Sequence, residues 1–158
     1  MQCVRKSENS VISILNKYGG GNAEKIAAYL EILSDVCQKS GGAFDYTLGA
    51  VSDLWNFGSN PVLPDDGIIR ETLSHTGYEK MTLDGNSLIY GDKSAVIDFG
   101  SAGKGIALDE IKSLLSEYKI KEAVVSIGGS ILLVGDKEFT VGIRNPEGNS
   151  GSYIAKLH

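Results

Sequence analysis

The stretch EAVVSIGGSILLVGDKEFTVGIR, Glu122 to Arg144, sets the reading of the fold. Its apolar runs Glu122–Ile127, Ile131–Val134 and Phe139–Arg144 read as three strands, divided by Gly128-Gly129 and by Gly135-Asp136-Lys137-Glu138. Connections this short do not suit a parallel crossover, which needs a dozen or more residues. Upstream, Lys80–Leu83 and Ser87–Tyr90 flank Asp84-Gly85-Asn86, a second hairpin signal. Ser94–Phe99 reads as a further strand and Tyr153–Leu157 as the last, after a loop from Asn145 to Gly151. Hairpins outnumber crossover units. The pattern therefore predicts an α+β fold, a largely antiparallel sheet with helices packed on one face.

Four segments read as helix. In Asn22–Lys39 the residues Ile26, Leu30, Leu33 and Cys37 recur at helical spacing, with Asn22 as the cap and Lys25, Glu31, Asp35 and Lys39 facing water. Ser10–Tyr18 has room for a turn or two before Gly19-Gly20-Gly21 stops it. Asp65 and Asp66 favour a helix start after Pro61 and Pro64, with Ile68, Ile69, Thr72 and Leu73 as its buried side. Gly105–Tyr118 carries Ile111, Leu114, Leu115 and Tyr118 on one stripe. Between these, Ser40–Gly58 has no sustained period, and long irregular stretches inside compact domains are often functional. Trp55 and Phe57 within it can form a platform for a planar ring or simply pack the core.

The 158 residues suit a single domain, residues 1–158, and 42% hydrophobic content is enough for a core. A formal charge of -5 argues against nucleic acid as a partner, since that affinity rests on neutralising phosphates. Cys3 and Cys37 form no metal or redox motif, and His75 and His158 are the only histidines, which leaves no histidine-centred zinc cluster. No apolar run reaches the roughly 18 residues of a membrane span. The start MQCVRKSENS has no export-signal pattern, so a cytoplasmic location is the default expectation.

The candidate site centres on DFGSAGKGIALD, Asp98–Asp109. Gly100, Gly103 and Gly105 let backbone N–H groups approach an anion, Lys104 adds a point charge, and Asp109, one turn into the helix, can accept from ribose or base groups. A structural glycine turn with a surface lysine is the competing reading. The spacing matches neither the P-loop nor the dinucleotide glycine fingerprint. Asp45, after Gly41-Gly42, can hold a polar ligand edge or cap local backbone; Gly128-Gly129 can cradle a ligand or close a tight hairpin; Arg144 is an anion contact or a surface guanidinium.

Four ordered segments carry a family resemblance: SGGAFDYTLGAVSDLWNFG (Ser40–Gly58), DFGSAGKGIALD, VVSIGGSILLVG (Val124–Gly135) and VGIRNP (Val141–Pro146). The chain resembles the ApbE family of FAD-dependent protein FMN transferases from about Ser10 onward. The resemblance implies a T-fold-like architecture and a magnesium-dependent transfer of FMN from FAD onto a threonine or serine hydroxyl of an acceptor protein, with AMP released. It implies FAD contacts from Ser40, Gly41, Gly42, Ala43, Phe44 and Asp45, from Gly128 and Gly129, and from Arg144. Lys104 would be the catalytic cation beside phosphate, Asp109 would face the nucleoside, and the carbonyl of Gly103, where the family usually has alanine, would bind Mg2+. Family enzymes are considerably longer, and the segment resembling Thr-Ala-Asp followed by a further threonine, which completes their metal site, has no counterpart after Leu157. The expectation is a short or incomplete family domain, with a non-catalytic FAD-binding or scaffold module as the alternative. Tyr153–Leu157 is also an expected exposed edge through which copies of the chain can pair into a homo-oligomer.

Overall fold

The computed structural model describes residues 7–149 and 151–158, so Cys3 lies outside the described residues. The chain divides into two compact units, one running through Gly103 and the other from Lys104 to His158.

In the first unit, α1 (Val11–Tyr18) is a full helix whose cap, Ser10, accepts from the Ser13 N–H at 3.1 Å. The glycine run behind it does more than stop a helix. Gly20–Asn22 forms β1, which pairs antiparallel with β3 (Ser87–Tyr90), itself paired with β2 (Met81–Asp84) across the expected hairpin, in the order β1-β3-β2. Asn22 therefore cannot start the long helix. Its Oδ1 accepts from the Glu24 N–H at 2.9 Å, a 3-10 turn follows over Glu24–Ile26, and α2 begins at Ala27 and runs to Lys39. The predicted stripe of Ile26, Leu30, Leu33 and Cys37 is buried throughout, and burial pushes the Cys37 thiol above its ordinary range.

Ser94–Phe99 is not a sheet strand. The alternation is right, since Ala95, Ile97 and Phe99 are buried, but among the described residues its only ladder contact is an isolated parallel bridge between Leu48 and Val96. A side chain takes the place of the neighbouring strand. Asn16 of α1 accepts from the Ile97 N–H and donates to the Ile97 carbonyl, each at 2.9 Å, and also accepts from the Tyr90 hydroxyl at 2.7 Å. Asp98 N–H donates to the Tyr46 carbonyl at 2.8 Å, and the Phe99 ring meets Tyr46 edge-on at 6.2 Å.

A short helix α3 (Gly49–Asp53) lies in the aperiodic stretch, and Gly49 N–H donates to the Val96 carbonyl at 2.9 Å. Helix α4 (Asp66–Ser74) starts as expected, with Asp65 Oδ1 accepting from Gly67 N–H at 2.7 Å. Its buried side is a correction. Of the four residues expected inside, Ile69 and Thr72 are half-buried, whereas Ile68 and Leu73 are exposed, and no residue of α4 is fully buried. Polar ties hold its end instead: His75 Nδ1 lies 2.7 Å from Asp92 Oδ2, and Lys80 Nζ donates to the Ser74 carbonyl.

The second unit holds most of α5 (Gly103–Glu117), which starts two residues ahead of its predicted Gly105, and two hairpins. β4 (Ala123–Ile127) pairs with β5 (Ser130–Val134), and β6 (Val141–Arg144) with β7 (Tyr153–Leu157), both antiparallel. Strand β6 begins at Val141, two residues after the expected Phe139, and a bulge falls between Ile143 and Arg144. Both faces of the β4-β5 hairpin are apolar: Val125, Ile127, Leu132 and Val134 are half-buried, whereas Val124, Ile131 and Leu133 opposite are exposed. The fold is thus the expected mixture of helices and antiparallel strands, and among the described residues the strands form three separate sheets, with no ladder joining β5 to β6. Among the described residues no helix is long and apolar enough to cross a membrane.

Candidate functional site

The first unit presents a cleft of about 340 Å³ lined by Ala43, Phe44, Asp45, Leu48, Ser52, Asp98, Gly100 and Ser101. It is built from the end of α2. Gly41 and Gly42 turn the chain at φ 62° and 81°, backbone space that only glycine enters freely. Their N–H groups donate back to the Gln38 and Cys37 carbonyls at 3.1 and 3.0 Å. Ser40 clamps the turn: its hydroxyl donates to the Cys37 carbonyl at 3.0 Å and accepts from Phe44 N–H at 3.1 Å. Ser40, Gly41 and Gly42 thus aim the loop, and the next three predicted residues, Ala43, Phe44 and Asp45, line the cleft.

The opposite lining comes from the start of the second motif. Asp98 Oδ1 accepts from Gly100 N–H at 2.7 Å, a tight turn that brings Gly100 and Ser101 to the cleft. Of the two roles the sequence left open for Asp45, the structure shows the capping one. Asp45 lines the cleft, and it caps backbone: Oδ1 accepts from the Thr47 N–H and hydroxyl at 2.8 and 2.7 Å, and Oδ2 from Tyr78 N–H at 3.2 Å. Thr47, fully buried, then accepts from Gly77 N–H at 2.8 Å and fixes the cleft floor to the chain ahead of β2.

Leu48, Ser52 and Ser101 were not singled out by the sequence reading. The first two lie one helical turn apart on either side of α3's start, a four-residue spacing too short to register as a period. Trp55 and Phe57 are not among the lining residues, and Phe57 is 74% exposed, so neither serves as a ring platform in this cleft.

The lining carries two carboxylates and no cationic side chain, so it suits the hydroxyl and amino groups of a nucleotide better than its phosphates. Asp45 and Asp98 offer the oxygen donors that magnesium prefers, but both already accept backbone N–H groups. Among the described residues no group of three or more His, Cys, Asp or Glu side chains is placed to hold a metal. Gly103 N–H donates to the Phe99 carbonyl at 2.6 Å, and as the first residue of α5 Gly103 points its own carbonyl along the helix. These residues do not close a magnesium site.

In the second unit, Lys104 and Gly128 come together: Lys104 Nζ donates to the Gly128 carbonyl at 3.3 Å. Gly128 and Gly129, at φ 53° and 92°, form the two-residue turn between β4 and β5, so the tight-hairpin reading holds, with the lysine laid across it. Asp109 is exposed on α5, five residues on and about 140° around the helix from Lys104. Arg144 is exposed at the end of β6, opposite Tyr153.

The chain is 28% identical over 165 residues to the FAD:protein FMN transferase of Treponema pallidum, covering 89% of this chain and 46% of that protein. It is 33% identical over 97 residues to the Vibrio cholerae FAD:protein FMN transferase, covering 60% of this chain and 29% of that one. The crystal structure of the ApbE protein from Thermotoga maritima superposes with a TM-score of 0.89 at 24% identity, over 99% of this chain and 54% of that chain. The flavin transferase ApbE from Vibrio cholerae gives 0.72 at 27%, over 92% and 50%. The chain spans about half the length of the relatives it matches along most of its sequence. The sequence profile of the ApbE family matches residues 2–158, and the chain belongs to that family.

Proposed function

We propose that this chain is the FAD-binding portion of an FAD:protein FMN transferase. The carrying observation is the cleft in which Ala43, Phe44 and Asp45 of one family motif meet Asp98, Gly100 and Ser101 of the next. Phe44, half-buried there, offers an apolar surface to a planar ring, and the carboxylates of Asp45 and Asp98 accept from nucleotide hydroxyl and amino groups. Lys104 supplies the positive charge for phosphate, Asp109 contacts the nucleoside part, and Gly128, Gly129 and Arg144 contribute further FAD contacts in this reading.

In the proposed reaction a threonine or serine hydroxyl oxygen of an acceptor protein attacks the FMN-side phosphorus. A phosphate ester bond forms, the pyrophosphate P–O bond breaks, AMP leaves with the electron pair, and the hydroxyl proton passes to solvent. The chain's contribution is to hold FAD in place and offset charge, since positioning and electrostatics dominate such transfers. The carboxylates committed to backbone N–H groups favour a second reading, an FAD-binding module without transfer. Magnesium enters both only as a variable to be tested.

The test is a titration of FAD with the purified protein, followed by flavin fluorescence with and without magnesium. Saturable binding that magnesium strengthens supports the transferase, and binding indifferent to magnesium supports the module; no binding defeats both. Lys104→Ala should weaken binding about tenfold, the loss of one charge-assisted contact, and Asp109→Ala by less. Unchanged affinity in both variants would remove these residues from the site.

A further inference from the structure

Directly beyond α3, which carries Ser52 of the cleft lining, the chain forms a loop that is ordered by its own bonds yet turns its apolar side chains outward. Asn56, at φ 48°, organises it: its Nδ2 donates to the Asn60 carbonyl at 3.1 Å, and its Oδ1 accepts from the Ser59 hydroxyl at 2.9 Å. Val62 N–H closes the loop onto the Trp55 carbonyl at 3.1 Å. On this frame Phe57 is 74% exposed, Val62 47% and Leu63 91%, and Ile68 in the first turn of α4 is 50% exposed. A single exposed leucine means little, but several within one structured loop mark an interaction surface. The flank is acidic: Asp65, Asp66 and Glu71 are exposed beside one cation, Arg70.

We propose that residues 57–68 dock the acceptor protein, through a basic segment that carries apolar side chains and brings a threonine or serine to the cleft. The inference rests on the transferase reading, whose relatives are named for a protein co-substrate that must be held beside the bound nucleotide. The loop is the direct continuation of the cleft wall through α3. The flanking carboxylates select against acidic partners and against anionic lipid surfaces, and favour lysine-bearing ones. The apolar side chains supply the buried contact and the acidic rim sets register and on-rate.

The probe is a fluorescent peptide of about twelve residues, one threonine flanked by leucines and lysines, followed by anisotropy; its glutamate-for-lysine counterpart is the control. The lysine peptide should bind saturably, Leu63→Asp and the Phe57→Ser/Leu63→Ser pair should each weaken it at least tenfold, and Asp66→Asn with Glu71→Gln should weaken it severalfold and flatten its salt dependence. FAD affinity, measured on the same preparations, should be unchanged by all of these. Equal binding of the glutamate peptide, or indifference to Leu63, would overturn the proposal. So would self-association of the protein abolished by Leu63→Asp, which would make a second copy the occupant. Failure of FAD binding alongside Leu63-dependent peptide capture would count against the flavin reading alone.

Discussion

The two units of this chain are stabilised in different ways. Among the described residues every buried apolar side chain except Leu108 belongs to the first unit. There, two helices, a three-stranded sheet and an extended segment share one core around Ile12, Leu15, Leu30, Leu88, Ile97 and Phe99. The second unit has a helix and two hairpins whose strands expose Val124, Ile131, Leu133, Ile143, Ile154 and Leu157. A two-stranded ribbon is marginal by itself in water and gains stability only when a face is covered. The cleft sits on the unit with the complete core, where preorganisation is inexpensive in entropy, whereas the lysine and turn glycines sit on the unit held mainly by backbone ladders.

The largest test of this contrast is a pair of truncations. Phe99→Ala, in the first core, should cost about 3–5 kcal/mol, whereas Leu133→Ala, on the exposed hairpin face, should cost less than about 1 kcal/mol, both read from denaturant midpoints. Comparable losses would erase the distinction between the units. Hydrogen exchange sharpens it further. Amides of α2 and Ile97 should be protected close to the global limit, and those of β6 and β7 should exchange through local opening.

Gly49→Ala probes how closely the first unit is packed. A Cβ there would lie 2.6 Å from the Val96 carbonyl oxygen and 2.7 Å from Val96 Cγ1, so α3 and the cleft wall would have to separate, at about 1–3 kcal/mol and with weaker FAD binding. Loss of stability without loss of FAD affinity would show that the wall's position is immaterial to the ligand.

The smallest effect concerns pH. His75 beside Asp92, with the Ser94 N–H, holds the Asp92 carboxyl below its usual range. A depressed folded-state value means that the carboxylate contributes stability above the ordinary carboxylate range and loses it as pH falls through the depressed value. Asp92→Asn should therefore flatten the acid limb of the stability curve and leave its alkaline side unchanged. An acid limb identical in both proteins would show that the pair is inert.

The helical stripe of α2, the Gly85-Asn86 hairpin and the four strands of the second unit were legible because each is local: period, turn chemistry and length all agree within a few residues. Ser94–Phe99 was half legible. Alternation placed Ala95, Ile97 and Phe99 inward, but nothing in the period says whether a strand or a side chain will satisfy the backbone, and the partner is 81 positions away. The triple glycine stops α1 as read, with Gly19 as its cap, but nothing local announced that Gly20 and Gly21 would go on into a strand, because the ladder that β3 offers overrides their weak strand propensity. Helix α4 was half legible too: Ile69 and Thr72 turn inward as its period implies, but Ile68 and Leu73 stay exposed and polar ties hold its end. At the site, the loop Ala43–Asp45 was readable from the glycines that turn it, whereas Leu48 and Ser52 became cleft residues only through the approach of Val96 to Gly49.

Asn16 has a consequence at the level of the amino-acid alphabet. The task at that position is to present one donor and one acceptor, at a fixed reach, to both polar groups of Ile97 and to the Tyr90 hydroxyl. Aspartate has the shape without the donor, glutamine has the groups on a longer arm, and serine falls short. An amide on a short arm is what spells this junction, so a single base change that replaces the asparagine would unpair the backbone of Ile97, next to Asp98 of the cleft lining, while every apolar residue of the core remained in place.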